Sequence, residues 1–481
     1  MIKIQPPYQG IAQSPEVGFG DIRNIDLYSA PGSARLNNSL VKVSGTTVDA
    51  LIKWIVRDPD TPANVFALDS NGVLYKSANS GDTWTEVSNR SGHGNGLMVK
   101  WGYVFVCTDT TIDVMKISDS TWTTGWQTID SDTLWHPMIV SKNDGIIYGG
   151  AGRYIFSIEE LTTFAPGTAS TYDFTQQRLD LRKDVRVKCL AELGINLMCG
   201  TWTGSTLTDF RVADIFPWDR VSPSYGQPIQ MTESGVNAMI TISNQLYILA
   251  GVEGRIYRSD GYNSTPIGGI PQSIADLSAG VYLEPFPGAI MSYKGRLFFG
   301  VSGGSAVDGC GVYSLMQTSK GNILTMEHSV STGNMGATNI LQIGALLPIS
   351  RDECLVGWRD NTTYGIDKAD NDAFTPSYRG YFDTPVYDVG SVNSQAKFRQ
   401  IELQLERDLR ANEGVKLRYR LDKTDSYVDI KTVDFATYGA IRSKNIITEI
   451  PSDVKVCENI QVQIALTGTT TTPGVKKVTL G

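Results

Sequence analysis

The sequence predicts an all-β protein, because short strand–turn–strand patterns recur along most of the chain and helical periodicity is nearly absent. The clearest pattern runs from Asn244 to Asp260. Residues 246–249 are predicted to form one strand, residues 251–254 a glycine turn, and residues 255–258 the start of a second strand. Residues 238–243 add a third strand. Three adjacent strands cannot bury both faces alone, so the unit must stack on copies of itself.

Copies of this unit recur with a period of roughly 40–60 residues, as expected for the four-stranded blades of a β-propeller. Seven units are found, at residues 51–75, 97–117, 137–156, 187–199, 238–260, 289–315 and 344–366. We therefore predict a seven-bladed β-propeller, with six or eight blades as alternatives. An array of β-sandwiches or a β-helix is the competing interpretation, but a β-helix needs a shorter and more regular repeat.

Two further regions flank the predicted propeller of residues 41–378. Residues 1–40 are turn-rich and are predicted to form an extended N-terminal arm, which is apolar enough to dock on folded protein. Residues 40–43 are a candidate outer strand that closes the ring. Residues 379–481 alternate strictly between apolar and polar side chains, which predicts a C-terminal antiparallel β-sandwich.

One local motif supports the propeller. Ser77, Asn79, Gly81, Thr83 and Trp84 resemble the Asp-box turn of sialidase-type repeats, with Asn79 in place of the usual Asp. The polar residues and glycine favour a tight turn between the third and fourth strands, and the tryptophan is expected to pack between blades. This motif is structural, so it indicates the fold and no chemistry.

Composition narrows the function classes. The 481 residues carry a net charge of −8 without long charged runs, so nothing indicates a polybasic surface for nucleic acid or anionic membrane. None of the six cysteines forms a CxxC pair, which favours a reducing compartment. The first residues lack the apolar stretch of a signal peptide, and no run reaches membrane-spanning length.

We expect no catalytic, cofactor-binding or metal-binding residues, and hence no enzyme. A sialidase-like glycoside hydrolase remains an alternative, because it needs an arginine triad and several arginines are present: Arg23, Arg57, Arg153, Arg255, Arg296 and Arg351. Each of them has a simpler role in a hairpin or turn. His93, His136 and His328 are widely spaced, and Asp58–Asp60 and Asp69–Gly72 are equally well explained as plain turns or as calcium ligands.

A glycan-binding role is the other alternative. Trp122, Trp126 and Trp135 are predicted to cluster in the outer part of the second blade, where exposed aromatic rings stack on sugars. Packing between blades is the simpler interpretation of the three tryptophans.

The C-terminal runs TPVYDVGS, FRQIELQLE, GVKLRYRLD and ENIQVQIALTGTTTTPGVKKVTL resemble the sandwich at the end of many bacteriophage tail proteins. The stretch GFGDIRNIDLYSAPGSARLNN resembles the leader of phage structural proteins that carry a propeller. Leader, propeller and sandwich together are similar to the tail nozzle proteins of short-tailed phages.

This resemblance implies a structural protein of the virion tail, assembled in the host bacterial cytoplasm. It further implies a homo-oligomeric ring, expected to be a hexamer, that forms or lines the DNA exit channel. Its expected partners are an adaptor, tail fibres and passing viral DNA, which it would contact without sequence-specific binding. A channel that passes DNA without gripping it should be acidic or neutral, and the net charge of −8 agrees with that.

Overall fold

A computed structural model describes most of the chain. The described residues are 2–4, 21–29, 33–43, 48–90, 92–159, 173–203, 213–270, 282–318, 321–374, 377–388, 396–397, 399–421, 425–438, 444–450, 456–457 and 459–480. Part of the predicted N-terminal arm, including residues 5–20, lies outside these ranges.

The chain divides into two compact units. The larger unit comprises residues 41–311 and 334–368, and the smaller unit comprises residues 1–40, 312–333 and 369–481. This division differs from the predicted boundaries in grouping residues 312–333 and 369–378 with the two ends of the chain. The reason is hydrogen bonding: Arg23 of the N-terminal segment is paired in a sheet with Met326 on one side and Tyr381 on the other.

The larger unit begins with five four-stranded antiparallel sheets, numbered 1 to 5 in chain order. Sheet 1 contains Ile52–Arg57, Val65–Asp69, Val73–Ser77 and Thr85–Asn89; sheet 2 contains Gly96–Lys100, Tyr103–Cys107, Thr111–Lys116 and Trp122–Thr128; sheet 3 contains Met138–Val140, Ile147–Ala151, Tyr154–Glu159 and Asp173–Asp180; sheet 4 contains Val185–Leu193, Asn196–Thr203, Asp214–Trp218 and Ile229–Gln230; and sheet 5 contains Val236–Ile242, Gln245–Ala250, Arg255–Ser259 and Ser264–Gly269.

Two more groups of strands complete the larger unit. In sheet 6, Leu283–Glu284 and Ile290–Tyr293 both pair with Arg296–Gly303. Sheet 7 contains Leu341–Pro348, Cys354–Asp360, the first half of Thr363–Phe374 and, as its outer strand, Asn38–Lys42. The start of the larger unit lies beside Thr363–Phe374, where the Val43 N–H donates to the Ile366 carbonyl over 3.0 Å.

Hairpin turns follow the local sequence. Between the first two strands of sheet 5, Ser243 and Asn244 both have positive φ, of 49° and 59°, as a tight two-residue hairpin turn requires. Gly251 and Gly254 also have positive φ, of 74° and 65°. The strand pattern predicted from 244–260 is therefore present, with Gln245–Ala250 pairing with Arg255–Ser259.

The innermost strands of the seven sheets contact one another in sequence order, and sheet 7 contacts sheet 1. Backbone bonds join several neighbours: His136 N–H to Asn95 O (2.8 Å), Val187 N–H to Gly152 O (2.7 Å) and Leu346 N–H to Gly288 O (2.9 Å). Apolar side chains fill the gaps between sheets, as where sheets 1 and 2 bury a common core. A cycle of blade-like sheets of this kind is the arrangement of a β-propeller.

The smaller unit contains two sheets that bury a common core. The first contains Ile25–Asp26, Ala34–Leu36, Gly474–Leu480, Gln400–Leu405 and Asn445–Glu449, with Ile2–Ile4 also paired to Gly474–Leu480; the second contains Gly311–Thr318, Gly321–His328, Asp21–Arg23, Gly380–Asp383, Asn459–Thr467, Gly414–Arg420 and Val428–Asp434, with Tyr387–Asp388 also paired to Asn459–Thr467. A short pair, Ala396–Lys397 with Val456–Cys457, and one helical turn, Phe435–Tyr438, complete it.

The described parts of the N-terminal segment are docked in the smaller unit. Ile22 and Ile25 are fully buried in its core. Arg35 forms an ion pair with Glu406 over 2.5 Å. No helix in the described ranges has both the length and the apolar character needed to cross a membrane.

Candidate functional site

Buried polar side chains from several sheets meet at the middle of the propeller ring. We call Lys53, Trp135, Lys188, Asn237 and Glu284 the central cluster. Sheets 1 and 4, which supply the two lysines, lie on opposite sides of the cycle. Both ammonium groups nevertheless lie over the Trp135 ring, at 4.4 and 5.2 Å from its centroid. Trp135 must therefore lie close to the ring axis.

β-Bulges place three of these side chains. In sheet 1 the register passes from Ile52 to Trp54, so that Lys53 has no partner on the next strand. The same skip occurs at Lys188 in sheet 4 and at Asn237 in sheet 5. A bulge leaves one residue out of the ladder and re-aims its side chain. Here it turns a polar side chain from an otherwise apolar innermost strand toward the axis.

The Lys53 side ties sheet 1 to the start of sheet 2. Lys53 Nζ donates to Asn95 Oδ1 over 3.0 Å and to the Leu134 carbonyl over 2.6 Å. Asn95 Nδ2 in turn donates to Asp109 Oδ1 (2.9 Å) and to the Asp132 carbonyl (3.0 Å). The Lys53 amine and both ends of the Asn95 amide are thereby hydrogen-bonded, as burial demands.

The Lys188 side ties sheets 4, 5 and 6 together. Lys188 is fully buried, and its Nζ donates to Asn237 Oδ1 over 2.8 Å and contacts Glu284 Oε1. The ammonium group also lies 4.6 Å from the centroid of the Trp202 ring. Asn237 Nδ2 donates to the Gly251 carbonyl, so the amide is held at both ends.

Burial at the middle of the ring changes the pKa of Lys53. Burial lowers the pKa of Lys53 from its ordinary value of 10.5 to about 7, against the opposing pull of the Asp132 and Asp109 carboxylates. The electrostatic effect of Lys188 lowers the pKa of Lys53 further. Burial also lowers the pKa of His136, which contacts the Gly150 and Asp109 carbonyls.

Lysines with a pKa near 7 occur both as catalytic amines and as buried structural residues. Here the Lys53 ammonium is covered, with 7% of the residue exposed, and already donates to two acceptors. The cluster is therefore suited to holding sheets together across the axis. Among the described residues, no group of three or more His, Cys, Asp and Glu side chains is arranged to hold a metal ion.

The five residues of the predicted Asp-box-like turn are brought together by the structure. Ser77 Oγ accepts the Gly81 N–H (2.9 Å), and Asn79 Oδ1 accepts the Thr83 N–H (3.0 Å). The Trp84 Nε1–H donates to the Gly81 carbonyl over 3.0 Å. Trp84 is buried in a core shared by sheets 1 and 7.

The other sequence candidates are not gathered into one site. The arginines lie on different sheets and bind local partners, as Arg153 does with Asp180 (3.1 Å) and Arg255 with Glu253 (2.8 Å). The two Asp-rich segments form turns, in which Asp69 Oδ1 accepts two backbone N–H groups at 2.9 Å each.

The three tryptophans predicted to cluster on the outside are separated. Trp122 lies under the Arg90 guanidinium, with 4.1 Å between the guanidinium carbon and the ring centroid. Trp126 is buried against Phe105. Trp135 belongs to the central cluster, so its predicted outer position is wrong, because the segment between sheets 2 and 3 turns inward.

The central cluster is not among the residues predicted from the sequence. The available signal was a single polar residue inside an apolar first strand, at Ile52-Lys53-Trp54, Val187-Lys188-Cys189 and Val236-Asn237-Ala238. Strict two-residue alternation treats such a residue as solvent-facing. A bulge changes that periodicity, and bulges are not visible in periodicity alone.

No protein-family model matches the sequence, and no curated protein matches it either. The fold is similar to several solved structures. YCF48 bound to D1 peptide is 10% identical, with 72% of this chain and 98% of that chain covered and a TM-score of 0.45. The RRP9 WD40 repeats are 11% identical, with 69% and 98% covered and a TM-score of 0.48.

A third similar structure is the extracellular domain of the putative hybrid two component system BT4673 from B. thetaiotaomicron. It is 11% identical, with 82% of this chain and 47% of that chain covered and a TM-score of 0.48. By its own sheets and their cyclic contacts, this chain is an all-β protein with a propeller.

Proposed function

We propose that this chain is a structural subunit of a phage tail nozzle, with a seven-bladed propeller and an antiparallel β-sandwich. The sequence resemblance to tail proteins is the origin of the proposal. The seven sheets in cyclic contact and the two-sheet smaller unit support the architecture. The docked N-terminal strands support the leader-plus-sandwich arrangement.

The central cluster is the observation that carries a structural role. Two buried lysines, a tryptophan and their acceptors occupy the middle of the ring and tie its opposite sides together. This favours a rigid building block over a propeller that opens to admit a substrate. It also means that a DNA channel would run between subunits, since the propeller axis itself is filled.

The proposed assembly is a homo-oligomeric ring, with six subunits as the expected number. An adaptor and tail fibres are the proposed neighbours, and DNA would pass without sequence-specific contacts. The proposed location is the virion tail.

Assembly is tested with the full-length chain at micromolar concentration. Mass photometry is expected to give a mass of six chains, and negative-stain electron microscopy is expected to give rings with a central opening. A compact monomer by both methods, together with absence of the chain from purified virions, would contradict the proposal.

A surface variant locates the subunit contact. Asn445–Glu449 is an edge strand of the smaller unit, and Ile447 on it is 54% exposed. Edge strands offer unpaired backbone groups to another chain. Ile447→Lys is expected to lower the ring fraction, whereas Val221→Lys, at an 87% exposed position in the larger unit, should leave it unchanged.

A further inference from the structure

A groove opens at the rim of sheets 4 and 5, within the larger unit. Its volume is about 860 Å³, and it is lined by Asn196, by parts of segment 217–230 and by residues 261–264. This volume lies within the range of small-molecule sites. It is separate from the central cluster and from the Asp-box-like turn.

Two tyrosines, Tyr225 and Tyr262, supply the aromatic surface of this rim groove. Tyr262 is 84% exposed at the tip of the turn before the outer strand of sheet 5. Tyr225 stacks edge-on against Phe216, with ring centroids 4.6 Å apart, so its position is defined. Because most of the Tyr262 side chain is exposed, a ligand that covers its ring would bury apolar surface.

Local hydrogen bonds hold both loops in place before any ligand binds. Asp219 Oδ1 accepts the N–H groups of Val221 (2.9 Å) and Ser222 (2.7 Å), and the Trp218 Nε1–H donates to the Ser222 carbonyl (2.8 Å). Across the groove, Asp260 Oδ1 accepts the Tyr262 N–H over 3.0 Å. Preorganised loops lose little entropy on binding.

The rest of the lining is mostly polar: beside Pro217, Pro228 and Ile229 it consists of serines, amides, glycines and the carboxylate of Asp219. Four side-chain amides line the groove, those of Asn196, Gln227, Gln230 and Asn263, and the last three of these residues are exposed. Each amide offers both a donor and an acceptor. None of the residues that line the groove is lysine or arginine, so a phosphate or carboxylate ligand would find no cation.

We propose that the rim groove binds a neutral oligosaccharide. Sugar rings combine an apolar face, which stacks on tyrosine, with hydroxyl groups that pair with amides. The groove contains both kinds of partner and no charge match for nucleic acid. Asp219 is the one carboxylate among the lining residues, and both its oxygens already accept bonds from Ser222. Glycoside hydrolysis generally uses two carboxyl groups, so the site binds and does not cleave.

The test is a glycan array with the full-length chain, followed by titration of the best neutral oligosaccharide in solution. Tyr262→Ala is expected to weaken binding about tenfold, the equivalent of one lost aromatic stack. Tyr262→Phe keeps the ring face and should bind within about threefold of wild type. Val221→Ala is the matched control, because Val221 is exposed on the same loop but does not line the groove.

Loss of binding in Tyr262→Ala alone supports the proposal. Three outcomes overturn it. The chain binds no neutral glycan, Tyr262→Ala binds the glycan as tightly as wild type does, or the chain binds proline-rich peptides on an array and no glycans. Ring formation is measured separately on the same variants, so failure here is distinguishable from failure of the nozzle proposal.

Discussion

Replacing Lys53 by methionine tests the account of the central cluster. Methionine keeps the length of the side chain and removes its charge. The substitution leaves Asn95 Oδ1 and the Leu134 carbonyl without their donor, which costs about 1–3 kcal/mol for each buried group at every pH. Because that cost is the same at every pH, it does not test the protonation of Lys53. The test is how the difference in free energy of unfolding between wild type and Lys53→Met changes with pH.

The pH dependence follows from the lowered pKa of Lys53. The folded protein releases this proton near pH 7 and the unfolded chain near pH 10.5. Above pH 10.5 Lys53 is neutral in both the folded and the unfolded state, and its contribution to the free energy of unfolding is largest. That contribution is lost as the pH falls to 7, because the unfolded chain takes up the proton first. Between pH 7 and pH 9 the free energy of unfolding of wild type should rise by about 2 kcal/mol relative to that of Lys53→Met.

Tryptophan fluorescence during urea unfolding is a suitable assay, because all nine tryptophans lie in the larger unit. The range should stay above pH 7, since Lys53 also affects His136. The other charges facing Lys53, on Asp109, Asp132, Lys188 and Glu284, remain in both proteins. Lys183→Met, which removes an exposed lysine, is the control and should track wild type. Parallel profiles for wild type and Lys53→Met would refute the buried, proton-releasing lysine.

Three further predictions concern other positions. Gly81→Ala should destabilise by about 1–3 kcal/mol, because φ is +91° and a Cβ would lie 2.7 Å from a leucine; Gly102→Ala, with φ +76° and open space, isolates the backbone part of that cost in the same fluorescence assay. Lys188→Met should cost about 3–5 kcal/mol by stranding Glu284, and adding Glu284→Gln should recover part of the loss in urea unfolding. Burial raises the pKa of Asp383 to about 7, so the stability that Asp383 contributes is complete below pH 3.8 and is lost as the pH rises through 7. Hydrogen exchange in the smaller unit should therefore show the free energy of unfolding of wild type falling by about 2.5 kcal/mol from pH 5 to 8. Asp383→Asn should not show this fall.

The repeated hairpins were predictable because their signals are local. Glycines at positive φ, two-residue turns and alternating apolar residues act over a few positions, and all three are present at 244–260. The Asp-box-like turn was predictable for the same reason, since its hydrogen bonds stay within residues 77–84.

Other features depend on distant parts of the chain and were not predictable. The hairpin of Gly311–Thr318 and Gly321–His328 has the same strand pattern as a blade, but N-terminal strand Asp21–Arg23 pairs beside it in the smaller unit. The inward position of Lys53 depends on a bulge, and the position of Trp135 depends on a connection between two sheets. Periodicity contains neither kind of information.

Cryo-electron microscopy of the purified full-length chain and of intact particles tests the nozzle proposal most directly. We expect a closed ring of six copies, in which each copy has seven blades around an axis filled by Lys53, Trp135 and Lys188. The DNA path would run between copies. A monomer with an open propeller axis, or particles in which this chain is missing from the tail, would contradict it.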